Sequence, residues 1–287
     1  MACAGWLCAC SSGRGHGPPI FSSSDGSAGT DATDDGARPP VDGGDRLDDV
    51  LIYAHSRDTL FTFSPYTLMV TRVGPFTLPD GTAAPFMVDL AVDSIGNVYT
   101  ASDTALYRAN PETADVIHVG ELDMAAQHLY ALTFVPRGAF RTDREALIGA
   151  TNEGQYFEVD AATASTTYLG QYPDGWRSSG DLVSIEGLGT FATVRREDFP
   201  SDVLVQIQFA PDGSSSVLVK GAVQSATGAF VELFGLGYWG RAVYGFSNAG
   251  ELIEINRDSG EGRLVTADTG TPQFWGAGVT TRAPVLF

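Results

Sequence analysis

The chain has 287 residues, enough for one large domain or two small ones, and its 43% apolar and 10% aromatic content suits a folded core. Acidic residues outnumber basic ones 35 to 17, and the resulting net charge of −18 repels nucleic acid and anionic lipid alike. All three cysteines (Cys3, Cys8 and Cys10) fall within the first ten residues, which excludes a disulfide framework or a cysteine zinc site from the rest.

In Leu7-Cys8-Ala9-Cys10 a small residue precedes a cysteine, as in a bacterial lipobox, so residues 1–10 read as a lipoprotein-type leader with Cys10 as the lipidation site. No Lys or Arg precedes it and its apolar run is short for a secretory signal; a start codon placed too far downstream accounts for both. Residues 11–48 are Ser, Gly, Asp and Pro with few apolar side chains, and read as a disordered tether. Asp31, Asp34, Asp35, Asp42 and Asp45 lack the spacing of a calcium loop, which leaves a solvated acidic linker. His16 also lies in this segment.

From residue 49 short strands rich in Val, Ile and Tyr alternate with turns of Gly, Asn, Asp and Pro. Strands are expected at 50–54, 59–63 and 68–73, with a turn at Ser64-Pro65-Tyr66-Thr67. The fullest unit is 86–122, FMVDLAVDSIGNVYTASDTALYRANPETADVIHVGEL, which holds four strands. A third unit has strands at 129–134, 146–150, 155–159 and 166–169, with a polar surface loop at 137–144. A fourth has 182–185, 189–194, 203–209 and 216–219, turning at Pro211-Asp212-Gly213, and a fifth has 233–236, 242–246, 251–255 and 263–266. One strand, 275–281, is left over, and the first unit is one strand short. If the last strand completes the first sheet, the ring closes and an exposed edge is removed. The expectation is an all-β β-propeller of five four-stranded antiparallel blades over 49–287, at roughly 48 residues per blade. An open sandwich leaves the repeated phrase of strand, turn, strand and glycine unexplained.

That phrase, at 106–120, 156–170 and 252–265, resembles the NHL, YVTN and quinoprotein-like propellers. With the leader, the chain is similar to uncharacterised propeller lipoproteins of GC-rich bacteria such as myxobacteria. The resemblance implies a fold and a secreted or lipid-anchored place in the cell envelope. It implies no reaction, because propellers host hydrolases, lectins, oxidoreductases and scaffolds.

Aligning the five innermost strands puts Asp89, Tyr130, Asp181, Glu232 and Trp275 at one level of the channel, as candidate ligand-binding residues. Clustered carboxylates raise one another's pKa and can supply a general acid or hold calcium, and the aromatic faces suit sugar rings or cations. The blander alternatives are an Asp or Glu bonded to a neighbouring turn and aromatics that only plug the channel. His55, His118 and His128 lie on three different blades without metal-ligand spacing. Trp176 with Arg177, and Tyr238 and Trp239 with Arg241, are rim candidates, packing being the expected job of Trp239. No GxSxG, GxGxxG or Walker motif occurs.

The functional expectation is a non-catalytic, monomeric binding module of the cell envelope without a cofactor, holding a glycan or an envelope protein at the channel mouth. The alternatives are a glycoside hydrolase using Asp89, Asp181 and Glu232, and a purely structural envelope protein.

Overall fold

The computed structural model describes residues 50–286 apart from Pro211, Gly213 and Pro272. The leader with Cys10 and the tether lie outside the described residues. The chain runs through β1 (Ile52–His55), β2 (Thr59–Ser64) and β3 (Met69–Pro75), then β4 (Met87–Val92), β5 (Val98–Ser102), β6 (Ala105–Ala109) and β7 (Val116–Glu121). It continues with β8 (Leu129–Val135), β9 (Ala146–Thr151), β10 (Gln155–Val159) and β11 (Thr166–Gln171), then β12 (Arg177–Ile185), β13 (Gly189–Arg195), β14 (Val203–Phe209) and β15 (Ser215–Ala222). A small hairpin, β16 (Gln224–Ser225) with β17 (Gly228–Ala229), precedes β18 (Gly235–Trp239), β19 (Ala242–Phe246), β20 (Leu252–Asn256), β21 (Gly262–Thr266) and the final β22 (Gly276–Gly278).

These strands form five four-stranded antiparallel sheets. The first is ordered β22-β1-β2-β3, so the last strand completes the first blade, pairing Tyr53 with Gly278, Ala54 with Ala277 and His55 with Gly276. The ring is a five-bladed propeller closed by its C-terminal strand. Closure leaves no sheet edge open at the seam, the hazard that an unpaired inner strand would present. Among the described residues no helix is long and apolar enough to cross a membrane.

The core lies between blades. Inner strands β4, β8, β12 and β18 are almost wholly buried, and apolar clusters such as Ile52, Phe63, Tyr244 and Phe246 fill the space between neighbouring sheets. Burial of that area is the main force for assembly, since a lone four-stranded sheet has nothing to cover its second face.

A repeated corner locks one blade to the next. In the turns after β2, β6, β10 and β20, the fifth residue donates its N–H to the carbonyl of the first: Leu68 to Ser64, Ala114 to Asn110, Ala164 to Asp160 and Gly260 to Asn256, at 2.8–2.9 Å. The first residue's side chain accepts further turn N–H groups, as Asn110 Oδ1 does from Glu112 and Thr113. The outer strand of the preceding blade reaches the corner with a glycine. A Cβ on Gly120 would lie 2.5 Å from the Thr163 carbonyl, and one on Gly221 would lie 2.1 Å from that of Ser259. The recurring glycine is therefore a point of close backbone approach.

Three local expectations change. The fourth inner strand starts at Arg177 rather than 182, and the fifth spans Gly235–Trp239 rather than 233–236. The 137–144 loop is not wholly superficial: Phe140 is buried against Phe209, and Arg141 grips Glu158.

Candidate functional site

The inner strands all start at the same mouth of the channel, and three of them are irregular there. The pairing of β4 with β5 shifts between Met87 and Asp89, that of β8 with β9 between Leu129 and Ala131, and that of β12 with β13 between Ser178 and Leu182. Such bulges re-aim side chains near functional sites. Here they turn two carboxylates onto the axis.

Asp89 and Asp181 are fully buried and hydrogen-bonded to each other. Asp89 Oδ1 accepts the N–H of Leu90 at 2.7 Å; Asp181 Oδ1 accepts that of Leu182 at 2.5 Å, and its Oδ2 that of Leu236 at 2.7 Å. The Leu132 N–H also bonds to the pair. Inner strands are edge strands whose N–H groups face the axis without a sheet partner, and these carboxylates satisfy four of the five strands. Asp89 Oδ2 is buried and receives no N–H or O–H among the described residues. Burial, reinforced by the negative charge of Asp181, raises Asp89 well above the usual carboxylate range. Burial likewise pushes Asp181 up to about 8, against the pull of its hydrogen bonds.

His55 closes the axis beside them. Its ring donates Nδ1–H to the Ser56 carbonyl at 2.7 Å, and burial pushes its pKa down to about 4. A Cβ on Gly276 would lie 2.1 Å from Asp89 Oδ1 and 2.4 Å from His55 Nε2, so only glycine fits between them. Among the described residues no three His, Asp, Glu or Cys side chains are placed to hold a metal ion.

Above this plug the mouth opens into a cavity of about 180 Å³ lined by Tyr130, Phe234, Trp275, Asn152, Arg195 and the 178–180 backbone. Phe234 and Trp275 lie 5.9 Å apart at 55°, and Tyr130 remains 38% exposed. Arg57 stacks on Trp275 at 4.0 Å and on Phe86 at 5.5 Å. Trp275 Nε1 is buried without a hydrogen-bond partner among the described residues. Arg195 donates to Asn152 Oδ1 at 2.6 Å and forms the wall shared with a second, open groove of about 680 Å³, where Arg177, Asp202 and Glu232 lie. Asp202 is buried, which pushes its pKa up to about 6, opposed by the Leu233 N–H.

The five expected site residues thus divide into three places rather than sharing one level. Asp89 and Asp181 form the plug, Tyr130 and Trp275 the mouth. Glu232 lies outside the inner strand on an exposed turn of positive φ, its carboxylate 3.4 Å from Asn248 Nδ2. At the level of the carboxylates the other strands present Leu132, Leu236 and Gly276. Bulges and the long lead-in to β18 shift the register by one to four residues. Trp176 is buried beneath Arg196, 4.2 Å from its ring, and against Phe199, while Arg177 pairs with Glu153. Tyr238 is buried and bonds the Gly240 carbonyl; Trp239 packs against the core and Arg241 is exposed. His118 pairs with Glu121, and His128 with Asp103 while stacking on Tyr130. Arg195 and Asn152 were not anticipated. Both end the second strand of a blade or follow it directly, so aligning second strands as well as first ones exposes them.

No protein-family model matches the chain, and no curated protein matches it. Among solved structures the chain is similar to U3-55K (12% identity, 75% of this chain and 60% of that one, TM-score 0.43). It is also similar to a structural-genomics protein from Bacteroides thetaiotaomicron VPI-5482 (14%, 76% and 57%, TM-score 0.42) and to BamB from Moraxella catarrhalis (16%, 73% and 70%, TM-score 0.31). The chain spans about three fifths of the first two. These likenesses are of fold alone.

Proposed function

We propose that the protein is a non-catalytic binding module that holds a glycan or protein ligand at the aromatic mouth of its propeller, and that it acts at the cell envelope, tethered through Cys10. The observation that carries the binding reading is the separation of the carboxylate plug from the cavity above it. Asp89 and Asp181 spend their oxygens on each other and on inner-strand N–H groups. Paired glycosidase carboxylates instead stand ~5–9.5 Å apart across an open cleft. The mouth is lined by three aromatic rings, an amide and an arginine, the mixture of apolar walls and few polar groups typical of a ligand pocket. The envelope setting rests on the leader sequence alone.

The test is a thermal-shift screen of the full chain against oligosaccharides and envelope-derived peptides, with release of reducing ends followed in parallel. A ligand at 100 times its Kd stabilises by about 2.7 kcal/mol, roughly 5 °C or more in a domain of this size. The expected result is such a shift, lost in Trp275→Ala, without release of reducing ends. Release of reducing ends that stops in Asp181→Asn would make the protein a hydrolase.

A further inference from the structure

We infer that the mouth cavity takes one sugar ring bearing a carboxylate, such as a terminal uronic acid. The inference rests on the binding reading above and narrows it to a ligand class.

Size sets the first limit. A volume of about 180 Å³ gives room for one hydroxylated ring within the walls. The walls set the second. Tyr130, Phe234 and Trp275 offer flat apolar faces to the C–H side of such a ring, and Arg57 backs Trp275 at 4.0 Å, holding that indole in place. Trp275 Nε1 is buried, so the indole meets the cavity through its ring carbons rather than its N–H.

Arg195 sets the charge. Acids outnumber bases two to one in this chain, and Arg141, Arg177, Arg196, Arg263 and Arg282 each sit within 4 Å of a carboxylate. Arg195 opens on the cavity with an amide as its side-chain partner, Asn152, and makes no ion pair at that range among the described residues. Asp202 feels its charge but is bonded to the Leu233 N–H. A guanidinium with free donors beside an apolar wall matches a carboxylate in bidentate fashion. The overall charge of −18 does not prevent this, since at physiological salt the field is screened within ~8 Å.

The experiment is calorimetric titration of the full chain with glucuronic and galacturonic acids, with glucose and galactose as neutral counterparts and glucosamine as the cationic one. The acids are expected to bind at least about tenfold more tightly than their neutral counterparts. Arg195→Gln should abolish that preference without changing the melting temperature, and Trp275→Ala, which removes an aromatic wall, should weaken every sugar that binds. Equal affinity for acidic and neutral sugars, or a preference that survives Arg195→Gln, overturns the inference. So does the absence of binding by all five sugars. In each case the oligosaccharide and peptide screen above still decides separately whether the mouth binds anything.

Discussion

At the scale of single residues, Asp89 and Asp181 show how one side-chain type can stand for chemistry or for architecture. Removing Asp181 leaves the N–H groups of Leu182 and Leu236 buried and unsatisfied, at about 1–3 kcal/mol each. Asp181→Ala should therefore lower the unfolding free energy by about 2–5 kcal/mol in urea titrations, whether or not a ligand is present. Asp89→Asn keeps an acceptor for Leu90 and a donor toward Asp181, and should cost less than about 1.5 kcal/mol. The pair also fixes a pH dependence. Both folded pKa values stand above the ~4 of an unfolded carboxylate, so the folded state keeps a proton that the unfolded state has released. Stability from the pair is full below about pH 4 and declines as pH rises toward 8; Asp202 adds a similar decline up to about 6. His55 acts oppositely: its depressed pKa makes stability fall as pH drops from ~6.5 to about 4. Urea midpoints should therefore decrease between pH 6.5 and 8, and the slope should flatten in Asp89→Asn. An unchanged slope in that variant would show that the pair does not share a proton.

At the scale of elements, the recurring corner explains why the strand pattern was readable. Positions such as Asn110 and Asp160 must be short polar side chains to cap their turns, and Gly120 must lack a Cβ to admit the next corner. These requirements act locally and leave their mark in every unit, so strand order, blade count and the closing strand could all be deduced before the structure. Gly120→Ala should cost about 1–3 kcal/mol through the forced contact with the Thr163 carbonyl, while Ala at Gly96, an open turn, should cost through its positive φ alone. Unfolding curves of the two variants check this. The register of the channel was less legible for the opposite reason. Bulges at Met87–Asp89, Leu129–Ala131 and Ser178–Leu182 slide the inner strands by a residue or more, and nothing in the alternation of apolar side chains marks them. Tyr130 and Trp275 line the cavity because inner strands start there; Arg195 lines it from the end of a second strand, which an alignment of inner strands does not include.

At the scale of the molecule, ring closure and the mouth cavity meet on the same short segment. Gly276–Gly278 seals the ring, its first glycine separates His55 from Asp89, and the preceding Trp275 forms a wall of the cavity. Truncation after residue 274 should expose the edge of β1, abolish cooperative unfolding and leave the chain open to proteolysis. The central claim is that ligand meets the aromatic mouth while the carboxylates beneath only hold the ring together. One comparison tests it: the ligand-induced thermal shift of the wild-type chain, Trp275→Ala and Asp89→Asn, measured side by side with the best ligand of the screen. The account predicts that Trp275→Ala loses the shift and Asp89→Asn keeps it. A shift retained in Trp275→Ala and lost in Asp89→Asn would contradict it, and would put the ligand on the carboxylates.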